Sequence, residues 1–157
     1  MKIITDIFVS LFYSGNFKIW PGTFASFISI LIVYPIVRYN VLSLYVMILI
    51  FIILFFLSLF FIKNYSSYTK THDSSVIVID EFLGIYLIFI FYDLIFISSN
   101  TITLLLIFIF FRFFDIIKIF PANIIDKKMH NSLGVLLDDL VASLYTIIVL
   151  YSINEFI

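Results

Sequence analysis

Residues Val41 to Ile62 form a run of 22 residues without a charge. A run of that length and polarity spans the roughly 30 Å hydrocarbon core of a bilayer as one helix. Inside lipid every backbone N–H and C=O must be paired, and a helix pairs them within its own segment. Hydrophobic residues make up 64% of the 157, mean hydropathy is +1.23, and soluble domains are about 45–50% apolar. The expectation is an all-α, membrane-embedded helical bundle in one domain covering residues 1–157.

Four further apolar stretches accompany the long run: Phe24–Val37, Val76–Tyr92, Thr101–Phe120 and Val135–Ile153. The first has only 14 residues and contains Pro35, so it reads as a short or re-entrant span and the bundle has four or five spanning helices. Met1–Tyr13 is interrupted by Asp6 and lacks a small-residue cleavage site, which fits an interfacial amphipathic segment better than a cleaved signal. Pro21-Gly22 reads as a turn, with Thr23 or Ser26 as cap of the helix that follows; a phosphate contact is the alternative. Pro121 is expected to end the fourth stretch, with a loop running to Gly134.

Nine lysines and arginines fix the orientation. If the five stretches alternate, Lys2, Lys18, Lys63, Lys70, Arg112, Lys118, Lys127 and Lys128 fall on one side and Arg38 on the other. The positive-inside rule makes the eight-residue side cytoplasmic. The same alternation places Asp80 and Glu81, Arg112 and Asp115, and Asp138 and Asp139 near the cytoplasmic ends of three helices. A charge within a span costs about 2.5–3.5 kcal/mol on insertion scales unless paired or hydrated. Acids gathered at the headgroup plane therefore point to function.

Carboxylates and water suit hard divalent cations, and Mg²⁺ takes one or two carboxylates together with substrate phosphate. Arg112, Asp115 and Lys118 are spaced by three and share a helix face, bringing cations beside those acids. Asp138 and Asp139 point about 100° apart, so one of them binds metal and the other orients it or pairs with a base. Metal-assisted chemistry on a lipid phosphate fits this set. A small transporter or proton/ion pathway fits it too, because intramembrane acids also mark ion routes. A structural Arg112–Asp115 ion pair, topology-fixing Lys127 and Lys128, and solvated Asp93 and Glu155 are the plain readings of those residues. Gly84, Ala142 and Ser143 would let helices approach closely.

The absence of cysteine removes disulfides, thiolate metal sites and cysteine nucleophiles. There is no Asp-x-Asp and no Ser-Gly-His pattern, which excludes two other phosphatase chemistries and leaves a metal-activated water as the simplest nucleophile. Nothing in the charge balance of −1 points to nucleic acid.

Three blocks resemble the phosphatidylglycerophosphatase A family. They are Pro21-Gly22-Thr23-Phe24-Ala25-Ser26, the stretch from His72-Asp73-Ser74-Ser75 through Asp80-Glu81 to Gly84, and the stretch from Arg112 to Asp139. The last carries Arg112 and Asp115, Lys118 and Pro121, Asp126, His130, Gly134 and the Asp138-Asp139 doublet. Together the blocks run from Trp20 to about Ser143. The chain departs from the family pattern at Asn131-Ser132-Leu133-Gly134, where a glycine-rich step is usual, and in phenylalanine or isoleucine around Lys118. The resemblance implies an all-helical, multi-pass protein of the inner (cytoplasmic) membrane with its active site facing the cytoplasm. It implies Mg²⁺-dependent hydrolysis of phosphatidylglycerophosphate to phosphatidylglycerol and phosphate, with self-association left open. On that footing Asp80, Glu81 and Asp138 are the expected metal contacts, supported by Asp139 and Asp115. Arg112 and Lys118 are expected to hold phosphate, and His130 or His72 to donate a proton to the leaving alkoxide.

Overall fold

A computed structural model describes residues 2–71 and 74–156. Among these the chain is helical and contains no strand. Its helices are α1 (Lys2–Val9), α2 (Pro21–Arg38), α3 (Leu44–Thr69), α4 (Ile79–Ile90), α5 (Tyr92–Ile95), α6 (Asn100–Ile117), α7 (Ala122–Lys128) and α8 (Ser132–Phe156), with a 3₁₀ turn at Ser14–Asn16. Four of them, α2, α3, α6 and α8, are long and apolar enough to cross a bilayer. The protein is a multi-spanning helical membrane bundle.

The stretch Phe24–Val37, expected to be short or re-entrant, lies within the 18-residue α2, which is long enough to cross, and the short helix is instead α4. Its 12 residues rise only about 18 Å, short of a bilayer core. The chain breaks at Phe91 and resumes as the single turn α5. The pair still reaches the same end as α8, because the Asn154 side-chain amide donates to the Leu94 carbonyl at 3.1 Å. A helix buried on nearly all sides is apolar all round, and α4 fits: Leu83, Ile85, Ile88 and Phe89 are fully covered by α2, α3 and α8. Helix α3 is the opposite case. Leu49, Ile53, Phe56 and Phe60 stand exposed along it, a continuous apolar surface that lipid would cover.

Local signals set the helix ends. Helix α2 begins at Pro21, two residues before Thr23 and five before Ser26, the expected capping positions, because proline at the first helical position loses only an N–H that would be unpaired anyway. Trp20 is the N-cap residue, and Ser26 turns its hydroxyl to the Gly22 carbonyl instead of capping. Helix α6 starts where Ser99 Oγ accepts from the Ile102 amide. It ends at Lys118, in the left-handed region with φ 49°, and not at Pro121, which caps the separate helix α7. Helix α8 is started by Asn131, whose side-chain oxygen accepts from Gly134 N at 2.9 Å.

Helices α4 and α8 meet at a glycine. A Cβ on Gly84 would lie 2.7 Å from the Phe111 ring and 2.8 Å from Ser143 Oγ, so only a residue without one lets α6 and α8 close on α4 here. At the other flank, the Val78 amide, just before α4, donates to the Val9 carbonyl at 2.9 Å. Asp6 on α1 accepts from the Tyr68 hydroxyl on α3. The N-terminal segment thus braces the loop that delivers the first turn of α4.

Candidate active site at one end of the bundle

Every acid singled out at a helix end arrives in one cavity of about 980 Å³. The first turn of α4 contributes Asp80 and Glu81, the second turn of α8 Asp138 and Asp139, and the last two turns of α6 Arg112 and Asp115. The N-terminus of α2 closes one wall at Gly22, where a Cβ would collide with the Glu81 carboxylate. That glycine is required by close approach, whereas the sequence offers it only as half of a turn.

Asp80, Glu81 and Asp139 form the tightest group. One carboxylate oxygen from each lies within 4.8 Å of the others. Glu81 Oε2 and Asp139 Oδ2 are buried with no hydrogen-bond partner among the described residues. Buried carboxylates so close repel each other and lack solvation, an arrangement that needs a compensating charge. Arg112 Nη1 supplies part of it, 3.9 Å from Glu81 Oε1 and 2.6 Å from Asp115 Oδ2. Two orphaned oxygens in an all-oxygen donor set fit a hard divalent cation such as Mg²⁺. Asp80, Glu81 and Asp139 would hold it.

The two neighbouring aspartates of α8 serve different partners. Asp138 Oδ2 accepts from Lys118 Nζ at 2.7 Å, and Lys118 also donates to Asp126 Oδ1 of α7 at 2.6 Å. The 100° step between consecutive helical residues turns Asp139 towards α4 and Asp138 towards the α6–α7 junction. Burial works against the charged lysine, but the hydrogen bonds and charges of Asp126 and Asp138 outweigh it and raise its pKa above the ordinary value. Lys118 therefore stays an ammonium at any working pH. Two of its three N–H donors are used, leaving one for a ligand.

Of the remaining expected residues, Asp115 is engaged by Arg112, and His130 is exposed on the cavity rim. His72 lies outside the described residues. Asp93 and Glu155 are exposed, and both belong to the far end, on α5 and at the end of α8. The cavity takes in Thr23, for whose segment a phosphate contact was the alternative to a cap, and also Trp20 and Lys127, which residue type alone did not mark as site components. Their signal was positional: Trp20 and Thr23 flank the Pro-Gly step, and Lys127 follows Asp126.

Comparison with known proteins agrees with this geometry. The family model for phosphatidylglycerophosphatase A matches residues 7–154, which include every described residue of the cluster. A phosphatidylglycerophosphatase A of Haemophilus influenzae is 37% identical over 83 residues, 53% of this chain and 48% of that protein. The match thus spans about half the length of the curated relative. No solved structure matches. With the model covering nearly the whole chain, the protein belongs to the phosphatidylglycerophosphatase A family.

Proposed function

We propose that this protein is a Mg²⁺-dependent lipid phosphatase of the inner membrane that hydrolyses phosphatidylglycerophosphate to phosphatidylglycerol and phosphate. The observation that carries the reading is the convergence of Asp80, Glu81 and Asp139 beside Arg112 in a cavity at one end of the spanning helices. The name of the Haemophilus relative supplies the substrate.

A Mg²⁺ ion bound by these acids would neutralise phosphate charge and lower the pKa of a water. The chain's own groups do the rest. Arg112 keeps Nε–H unpaired and buried, a donor available to a phosphate oxygen once substrate enters. Lys118, which also lines the cavity, offers its third N–H. Asp115 fixes the Arg112 guanidinium, and Asp138 fixes Lys118. As water attacks phosphorus, the bond to the glycerol oxygen breaks and that oxygen takes a proton. His130 on the rim, or His72, is the residue type suited to give it near neutral pH.

Phosphate release from phosphatidylglycerophosphate in detergent micelles tests the reading. Activity should vanish with EDTA and return with Mg²⁺. Release that ignores chelation overturns the metal role. Ion-dependent flux in liposomes without phosphate release would favour a transporter instead. Against a transporter stands the apolar middle of the bundle, where Leu83, Ile88, Phe89 and Leu150 fill the α4–α8 region between the acids and the far end.

A further inference from the structure

Beside the acid-lined cavity lies a second space, a groove of about 280 Å³ between the N-terminal half of α2 and α6. The two spaces share Trp20, Thr23 and Phe108 as common walls. Beyond those three the groove is lined by Phe and Ile side chains, Phe17 and Phe27 among them. Its walls are ordered by ring contacts. Phe17 stacks on Phe24 with centroids 4.3 Å apart, and Phe27 meets Phe108 edge-on at 6.4 Å.

The direction of the groove follows from helix spacing. Phe108 and Arg112 are four residues apart on α6, so they share a face and Phe108 lies about 6 Å further from the helix's charged end. On α2, Thr23 and Phe27 are related in the same way. The groove thus reaches from Phe17, Ile19 and Trp20, just before α2, along the α2 and α6 faces to Phe27 and Phe108, one turn further from the charged ends than Thr23 and Arg112. Trp20 stands at its mouth, 76% exposed, with φ 51°, a backbone conformation that a bulky residue rarely adopts. Tryptophan is the residue type that settles at the headgroup level of a bilayer.

We propose that this groove is a binding site for an acyl chain of the phosphate-bearing lipid, which enters sideways from the bilayer between α2 and α6. The proposal rests on the lipid phosphatase reading above. A phospholipid carries its phosphate at headgroup depth and its acyl chains deeper, and the two connected spaces reproduce that order: charges first, then aromatic rings along the same helix faces. The groove opens away from the acids, so a chain lying in it would leave the phosphomonoester beside Arg112 without being pulled out of the membrane.

Trp20 is the chain's single tryptophan, so its fluorescence reports on the groove mouth alone. The probe is a non-hydrolysable phosphonate analogue of a lipid phosphomonoester with a nitroxide on one acyl chain, added to protein in mixed micelles. The control is phosphatidylcholine carrying the same nitroxide at the same mole fraction. Trp20 should be quenched several-fold more strongly by the phosphonate lipid, and Thr23→Leu, which fills the junction of the two spaces, should abolish the preference. Equal quenching by the two lipids in the unmodified protein overturns the groove, as does a preference that survives in a folded Thr23→Leu variant. If Thr23→Leu does not fold, the unmodified protein decides alone. Selective quenching without phosphate release would leave the groove standing and sink the phosphatase reading; release with equal quenching would do the reverse.

Discussion

Adjacent aspartates on a helix cannot reach the same point, and the second turn of α8 uses that fact. Asp139 joins Asp80 and Glu81, while Asp138 binds Lys118 and through it Asp126 on α7. The two residues should therefore fail differently when changed. Asp80→Asn, Glu81→Gln and Asp139→Asn should each lower turnover by on the order of 10²-fold, the usual loss for one electrostatic contact in a site. Asp93→Asn and Glu155→Gln, at the far end, should leave it unchanged; phosphate-release assays on purified variants check both halves. Lys118→Met should free α7. Its amides should exchange about tenfold faster by hydrogen–deuterium exchange, the equivalent of losing one charge-assisted hydrogen bond of about 1.5 kcal/mol. Lys118→Arg should restore protection if the ammonium acts as a bridge, and no change in α7 with Lys118→Met would show that the bridge does not hold that helix. The raised Lys118 pKa sets the pH range of this effect. Its stabilisation is fully present below the unfolded lysine value and fades only as pH rises through the higher folded one, so neutral and mildly alkaline samples should behave alike.

At the scale of elements, α4 organises the site, and Gly84 is what allows it. Ala142 and Ser143 on α8 are both buried, and Ser143 Oγ and the Phe111 ring close over Gly84. Gly84→Ala should destabilise the bundle by about 1–3 kcal/mol, the usual penalty for overpacking a filled interior. Gly84→Leu should go further, pushing α8 from α4 and so Asp139 from Asp80 and Glu81. Thermal unfolding in detergent, followed by circular dichroism, checks the order wild type, Ala, Leu; an unshifted midpoint for Gly84→Leu would show the helices are not in tight contact. Much of this element was legible in the sequence, since a glycine three residues after Glu81 on an apolar helix admits few other purposes. Other features depended on partners that only folding supplies. The stretch Val76–Tyr92 ends within a residue of the break at Phe91, but nothing in the sequence marks the further helical turn over Tyr92–Ile95. Lys118 ends α6 in a left-handed conformation that lysine does not favour by itself, so Pro121 looked like the stop. The acids were visible as a set because charge in a greasy chain is conspicuous. Which oxygen met which was not, because Asp138 is claimed by a lysine 20 residues away along the chain.

Seen as a whole, the molecule is polarised along its length, and its orientation in the membrane can be argued from that alone. Helices α2, α3, the α4–α5 pair, α6 and α8 run alternately between two ends. One end gathers Gly22, Tyr68, Asp80, Arg112 and Asp139; the other gathers Leu94, Asn100 and Asn154. Arg38, closing α2, belongs to the second end, while the seven lysines and Arg112 belong to the first. Translocation of short loops disfavours lysine and arginine and is nearly blind to acids, so the expected arrangement keeps the cation-rich end in the cytoplasm even though it also holds the carboxylates. The chain has no cysteine, so single cysteines can report sidedness without background. Asn131, exposed just before α8, should react with an impermeant maleimide only when the cytoplasmic face is accessible. Ser98, exposed just before α6, should react only from the opposite face. The reverse pattern would place the acid-lined cavity outside the cytoplasm. Labelling of both positions from one side would mean that α6 or α8 fails to cross, and that the alternation of the five helical passes is not the arrangement in the membrane.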